Sequence, residues 1–258
     1  MSDDYLGAWH AWRKQREERL TAPYGYLSIS GLHWLTDDPQ RFDGVPGEWR
    51  AGPAGVEVTL RPEETLAVAG TPVRGRHSFG KVGAAGVEAS YGDAVLEVAE
   101  RGSATMLRPR RPDHRLRTEH PGTPTYPPSP AWVLPGRLHR YAEPVPLGVE
   151  TAVDGWEHVE EAVGEVEFVL EGEPRRLVAF ADGDALWILF ADATSGVTTY
   201  GAGRQLSVPP PGTDDSVLVD FNRAINLPCA YTSFTTCAFP PPANRLPVPV
   251  EAGERAPA

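Results

Sequence analysis

Between Phe190 and Arg245 the chain gathers the side chains best equipped for chemistry: Asp192, Thr194, Ser195, Tyr200, Arg204, Asp220, Asn222, Arg223, Asn226, Cys229, Cys237 and Asn244. An arginine presents a planar fork that fixes an oxyanion, and a carboxylate held beside it can act as general base. On that reading Asp220, Tyr200 and Asp192 are the candidate catalytic groups. Arg204, Asn222, Arg223, Asn226 and Thr194 are the candidate ligand-binding groups, Cys229 is a candidate reactive thiol, and the expected ligand is a small anionic molecule.

Local spacing qualifies this. In DATSG (192–196) Asp192 can accept from the amides of Thr194 and Ser195, which makes a capped turn as good a reading as a site. TYGAGR (199–204) sets two glycines before Arg204, where successive amides can form an anion nest. In VLVDFNRAIN the apolar Val217, Val219 and Phe221 alternate with Asp220 and Asn222, so the last two share one face of a strand. They could orient a ligand, or tie down the irregular LPCAYTSFTTC loop by side-chain to backbone bonds.

Other chemistries lack their pattern. Ser195 has no GxSxG elbow, and no histidine follows His158. Cys229 and Cys237 form C-x7-C, too wide for a CxxC pair, and read as thiols rather than a disulfide. The seven histidines include neither HxH nor HExxH, so no metal site is assigned. His33, between Leu32 and Trp34, reads first as a core or edge residue. A flavin is one concrete cofactor for a β-rich split barrel with arginine and small hydroxyl residues, although no phosphate motif demands it. The arginines from Arg101 to Arg117 could hold an oxyanion, or pair with the acidic stretch from Glu150 to Glu173.

The elements that must position these groups are mostly strands. Residues 3–20 predict a helix, capped by Ser2, with Asp3 and Asp4 in its first turn and basic residues toward its end. Trp9 and Trp12 would pack it on the body. From Asp43 to Glu100 short period-two runs such as VEVTL and AVLEVAE alternate with glycine and proline turns, which is antiparallel β. PGTPTYPPSPAWVLPG reads as an extended crossing loop. EVEFVL, RRLVAF and ALWILF make two successive hairpins that deliver the chain into Asp192. The fold class is therefore mainly β: an antiparallel β-barrel or split-barrel-like domain with an N-terminal helix and an extended C-terminal strap. The helix is assigned to residues 1–22 and the single β-rich domain to 23–258.

With 24 basic and 35 acidic residues the formal charge is −11. That disfavours nucleic acid as a partner and favours solubility. No run of 18 uncharged apolar residues offers a membrane span, and no apolar segment of signal length begins the chain. A soluble cytoplasmic protein is expected, with a homo-oligomer left open. The 27 prolines and 26 glycines mark a turn-rich chain, while its 41% apolar content still supplies a core.

FADATSGVTTYGAGRQL, VDFNRAINLPCA and TCAFPPPANRLPVPVEAGE, together with WRKQREERL and YGYLSISGLHWL, resemble the bacterial and archaeal domain-of-unknown-function family 1684. Ile225 and Leu227 stand where the family pattern usually has tyrosine and proline. The resemblance implies that Asp192, Thr194, Tyr200, Arg204, Asp220, Asn222, Asn226, Cys229, Cys237, Asn244 and Glu251 belong to a family motif, and it implies no activity. Two functional readings follow. In one the motif lines a polar pocket, and the chain binds or transforms a small anion. In the other the motif is an internal hydrogen-bond network, and a non-catalytic β-domain serves a protein-interaction role. A pocket leaves Arg204 and Asp220 open to a ligand, whereas a network buries and satisfies them.

Overall fold

A computed structural model of the chain describes residues 2–153 and 157–257. Helix α1 spans Asp3–Leu20. Ser2 starts it: its Oγ accepts from the Tyr5 amide at 3.3 Å and its carbonyl from the Leu6 amide at 3.2 Å. Trp9, Arg16 and Leu20 are buried, and Tyr5, Trp12 and Arg13 are half-buried beside them. The buried stripe of α1 is thus aromatic and cationic rather than aliphatic. It must find hydrogen-bond acceptors on whatever it covers.

The chain divides into two compact units, one of Glu18–His120 and one of Met1–Glu17 with Pro121–Ala258. The sequence pattern places its boundary after residue 22, with 23–258 as a single β-rich domain. In the first unit the strands are β1 (His33–Leu35), β2 (Glu48–Gly52), β3 (Gly55–Thr59), β4 (Leu66–Val68), β5 (Thr71–Val73), β6 (Arg76–Gly80), β7 (Val87–Tyr91), β8 (Ala94–Arg101) and β9 (Ala104–Arg110). They form two antiparallel sheets, β1-β9-β8-β7-β4-β5 and β2-β3-β6. Period-two alternation does the work here: Leu96, Val98 and Leu107 point into a core with Trp49, Val58 and Leu66, while Glu97 and Arg108 pair across the other face.

That face corrects one expectation. Arg101, Arg108 and Arg110 converge on Glu97, with Arg108 and Arg110 at 2.8 and 2.6 Å, not on the acidic stretch. Burial pushes the Glu97 carboxyl up, but Arg108 and Arg110 outweigh it and its pKa falls. In the acidic stretch Glu165 and Glu167 pair with Arg176; its Asp154 lies outside the described residues.

The second unit holds β10 (Val133–Glu150), β11 (Glu157–Leu170), β12 (Glu173–Asp182), β13 (Ala185–Phe190), β14 (Arg204–Val208), β15 (Ser216–Asp220) and β16 (Ile225–Asn226). They build one antiparallel sheet in the order β15-β10-β11-β12-β13-β14-β16. The sheet curls until β14 approaches β15 without pairing with it, so the barrel stays open. Phe168 and Phe190 meet Phe221 edge-on at 5.6 and 5.3 Å. Around them lie Val166, Leu177, Ile188, Leu206, Val217 and Val219, and Leu246, Val250 and Ala252 of the C-terminal strap complete the core. Each of these side chains larger than alanine contributes about 1.5–3 kcal/mol by leaving water.

Two features depart from simple alternation. The crossing loop gives way at Val133 to an 18-residue strand, β10, despite Pro135, Pro144 and Pro146. Pro135 lies just past the last β10–β11 pair, Gly136 with Phe168, and beyond Arg137 the strand has β11 alone as neighbour. Prolines survive there because a missing donor costs a ladder bond only where a partner strand waits for it. Second, β12 and β13 pair from Asp182–Ala185 to Phe180–Trp187 and then part. Asn244 is inserted into the gap. Its Oδ1 accepts from Val178 N at 2.7 Å, and its Nδ2 donates to Val178 O at 2.9 Å and Leu189 O at 2.7 Å. One side-chain amide replaces a peptide group of the ladder where Val178 and Leu189 would have paired.

Candidate functional site

Strand β13 ends at Phe190, and the chain turns at once through Asp192. The Asp192 Oδ1 accepts from Thr194 N at 2.8 Å, Thr194 Oγ1 at 2.6 Å and Val250 N at 3.1 Å. Its Oδ2 accepts from Arg204 Nη2 at 2.8 Å, and both side chains are fully buried. Thr194 Oγ1 also meets Thr199 Oγ1 at 2.8 Å. The capped turn expected from DATSG is therefore present, and its carboxylate has taken on a buried arginine as well.

Arg204 opens β14 opposite Phe190. Its Nη2 donates to Val250 O at 2.9 Å, and its Nη1 donates to Ala252 O and, at 3.3 Å, to Glu254 O. The guanidinium carbon lies 5.1 Å from the Phe190 ring centroid, a cation–π contact that partly offsets lost hydration. Burial lowers the Arg204 pKa and Asp192 opposes the shift. Gly203 makes the approach feasible: its φ is +94°, and a Cβ there would fall 2.5 Å from Phe190 O. Of the four buried side-chain atoms without a partner among the described residues, two lie here, Arg204 Nε and Asn226 Oδ1, on residues that face each other across β14 and β16.

Asp220 ends β15 and caps the short 3-10 turn Phe221–Arg223 by accepting from Asn222 N at 3.1 Å. Tyr5 of α1 donates its hydroxyl to Asp220, 2.9 and 2.8 Å from the two carboxylate oxygens, and Arg223 Nε lies 3.2 Å from Oδ2. Asn222 works as Asn244 does: Oδ1 accepts from Ser129 N at 2.9 Å while Nδ2 donates to Ser129 O at 2.9 Å. Burial, reinforced by the bond to Asp220, pushes the Tyr5 phenol up to about 12.

Tyr200 donates its hydroxyl to Cys229 O at 3.0 Å, and burial raises its pKa. Cys229 and Cys237 are half-buried thiols, and the Cys229 amide donates to Cys237 Sγ at 3.3 Å. The hydrogen bond with Cys237, followed by burial, raises the Cys229 pKa, which keeps it a thiol at neutral pH where a nucleophile must be a thiolate.

The sequence reading missed the acidic centre of this region. Glu254 is fully buried, and its Oε1 accepts from Arg13 at 2.6 Å and Arg16 at 3.1 Å. Its Oε2 accepts from Asn226 N at 2.7 Å and the Tyr231 hydroxyl at 3.2 Å. Arg16 also donates to Asn226 O at 3.2 Å, and Trp9 donates to Asn222 O at 3.0 Å. The polar stripe of α1 thus finds its acceptors on the C-terminal motif. No local spacing could have announced partners about 240 residues apart.

The motif residues are brought together, but as three linked clusters: Asp192–Arg204 under the strap, Asp220–Asn222 under α1, and Tyr200 with the two thiols. Among the described residues no group of three or more His, Cys, Asp and Glu could hold a metal ion, and no helix is long and apolar enough to cross a membrane.

A sequence model of the family described as "Protein of unknown function (DUF1684)" matches residues 118–255. Among solved structures, an uncharacterized protein of Haloarcula marismortui is similar at 30% identity over 54% of this chain and 78% of its own, with a TM-score of 0.46. No curated protein matches the chain.

Proposed function

The chain belongs to that family of proteins of unknown function, and from this premise we propose that its motif is an internal clamp and the protein a non-catalytic β-module. Arg204 carries the reading. It is 0% exposed, and both its Nη groups are committed to Asp192 and to the carbonyls of Val250, Ala252 and Glu254. A pocket in which Asp192, Tyr200, Arg204, Asp220 and Asn222 hold a small anion, or a flavin phosphate, needs that fork open to a ligand. Here the strap occupies it. The clamp holds residues 250–254 over the core and α1 over β15 and β16.

A binding role then belongs to the outer surface. Pro135 pairs with Leu218, Val169 pairs with Pro174, and Pro135 and Val169 each lie one residue beyond the Gly136–Phe168 pair. All four are exposed, Val169 at 57% and Leu218 at 49%. An apolar row across four strands supports contact with a protein partner.

Arg204→Met tests the clamp. Stripping one partner from a buried ion pair costs about 3–5 kcal/mol, so urea unfolding is expected to show a loss of that size. Wild-type stability in the variant would mean that Arg204 is held for a ligand, and the pocket reading would replace this one.

A further inference from the structure

The clamp uses two of the three motif clusters and leaves the third, Tyr200 with the two thiols, without a task. Cys229 and Cys237 stand eight residues apart in the chain, and the fold brings them back together: the Cys229 amide donates to Cys237 Sγ at 3.3 Å, and the two thiols share a hydrogen bond. Their side chains therefore point at one another, which is the first geometric requirement for a disulfide. Neither sits in an aliphatic core. Both are half-buried, so a small molecule in water can reach the pair.

The two sulfurs are held in place from both ends of the loop that joins them. Cys229 lies in the 3-10 turn Pro228–Ala230, and its carbonyl accepts from the Tyr200 hydroxyl at 3.0 Å. Cys237 runs beside the end of β10: its carbonyl accepts from Ala152 N at 2.9 Å, and Phe239 N donates to Glu150 O at 2.8 Å. Inside the loop Thr232 Oγ1 accepts from Phe234 N at 3.2 Å, and Thr235 Oγ1 donates to Thr232 O at 3.3 Å. The Cys237 thiol donates to Thr235 Oγ1 at 3.5 Å. These bonds are made by backbone and hydroxyl groups, so joining the sulfurs removes none of the anchors at either end of the loop.

We propose that Cys229 and Cys237 are a reversible dithiol–disulfide site oxidised by low-molecular-weight disulfides, with Cys237 as the attacking sulfur and Cys229 as the resolving one. The Cys237 thiol gives its proton to water and attacks one sulfur of the disulfide RSSR. A Cys237–SR bond forms, and RS⁻ leaves and is protonated. Cys229 then loses its proton and attacks Cys237 Sγ, so that the Cys229–Cys237 bond forms and the second RS⁻ leaves to be protonated in turn. Two electrons pass from the protein to the small disulfide, which departs as two thiols. The order follows from the hydrogen bonds. The Cys229 N–H is aimed at Cys237 Sγ, where negative charge develops in the first step. Cys229 is kept a thiol first by its bond with Cys237, and that restraint ends once Cys237 carries the mixed disulfide. The chain undergoes this reaction and catalyses none, in keeping with a non-catalytic module.

The test equilibrates the full chain, without denaturant, in mixtures of oxidised and reduced glutathione, followed by acid quenching and intact-mass measurement. The wild type is expected to lose two hydrogens, to retain no glutathione, and to move back and forth between the two forms as the ratio is changed. Cys229→Ser should trap one glutathione on Cys237, because the resolving sulfur is gone. Cys237→Ser should acquire glutathione at least about tenfold more slowly than Cys229→Ser, since exchange rates follow the thiolate fraction of the attacking sulfur. Should either variant fail to fold, peptide mapping of the oxidised wild type decides, with a Cys229–Cys237 cross-link expected. An unchanged mass at the most oxidising ratio, glutathione retained on the wild type with no internal bond, disulfide-linked dimers, or faster capture by Cys237→Ser than by Cys229→Ser would overturn the proposal.

Discussion

Burial separates residues that share a chemical type. Arg204, Asp192, Asn244 and Glu254 are enclosed and hydrogen-bonded, so their substitution acts on folding. Val169 and Leu218 are apolar yet exposed, so theirs should not. Val169→Glu with Leu218→Glu is expected to leave the urea midpoint within about 0.5 kcal/mol of wild type and to reduce binding of an anilinonaphthalene sulfonate dye to the native protein. A loss above about 1 kcal/mol, on the scale of a core change, would show that the row is packed rather than presented. The thiols obey the same logic: the hydrogen bond with Cys237 and burial make Cys229 less acidic than an ordinary cysteine, which opposes formation of a thiolate.

Among the elements, α1 is attached by polar chemistry. Tyr5 on Asp220, Trp9 on Asn222, and Arg13 and Arg16 on Glu254 give it four anchors within four turns. Tyr5→Phe removes a bond to a carboxylate and should cost about 1–3 kcal/mol at pH 7. The pH dependence has a definite sign. The folded phenol holds its proton up to about 12, against an ordinary tyrosine value of 10.0, so the native state binds the proton more tightly than the unfolded chain. That stability is whole below about pH 10 and disappears as pH rises through about 12. The stability gap between wild type and Tyr5→Phe, measured by urea unfolding from about pH 8 upward, should therefore shrink above about pH 10. A gap that stays constant to about pH 12 would contradict the anchor.

At the scale of the whole molecule, what sequence reveals follows from range. Helix α1 and strands β3, β8, β11, β12 and β13 were legible because period and capping are local properties. So was the importance of Asp192, Arg204, Asp220 and Asn244, polar residues too dense to be a solvated loop. The use made of them was not legible. Whether Arg204 faces a ligand or three strap carbonyls depends on residues 46 to 50 positions away, and Glu254 meets Arg13 across 241. Strand β10 was hidden because its prolines argue against a central strand, and only the sheet order shows that most of its length has one neighbour. Asn244 reads as turn chemistry until β12 and β13 are seen to part around it.

The central claim is that Asp192 and Arg204 clamp the C-terminal strap onto the sheet. Native-state hydrogen exchange on the amides of Leu246, Val250 and Glu254 tests it most directly, since these donate to Ala191 O, Asp192 Oδ1 and Ala224 O. The clamp predicts that in the wild type they exchange only through global unfolding. In Arg204→Met, under conditions where the core strands remain protected, they should open locally. Fast strap exchange in the wild type, or unchanged protection in the variant, would contradict it.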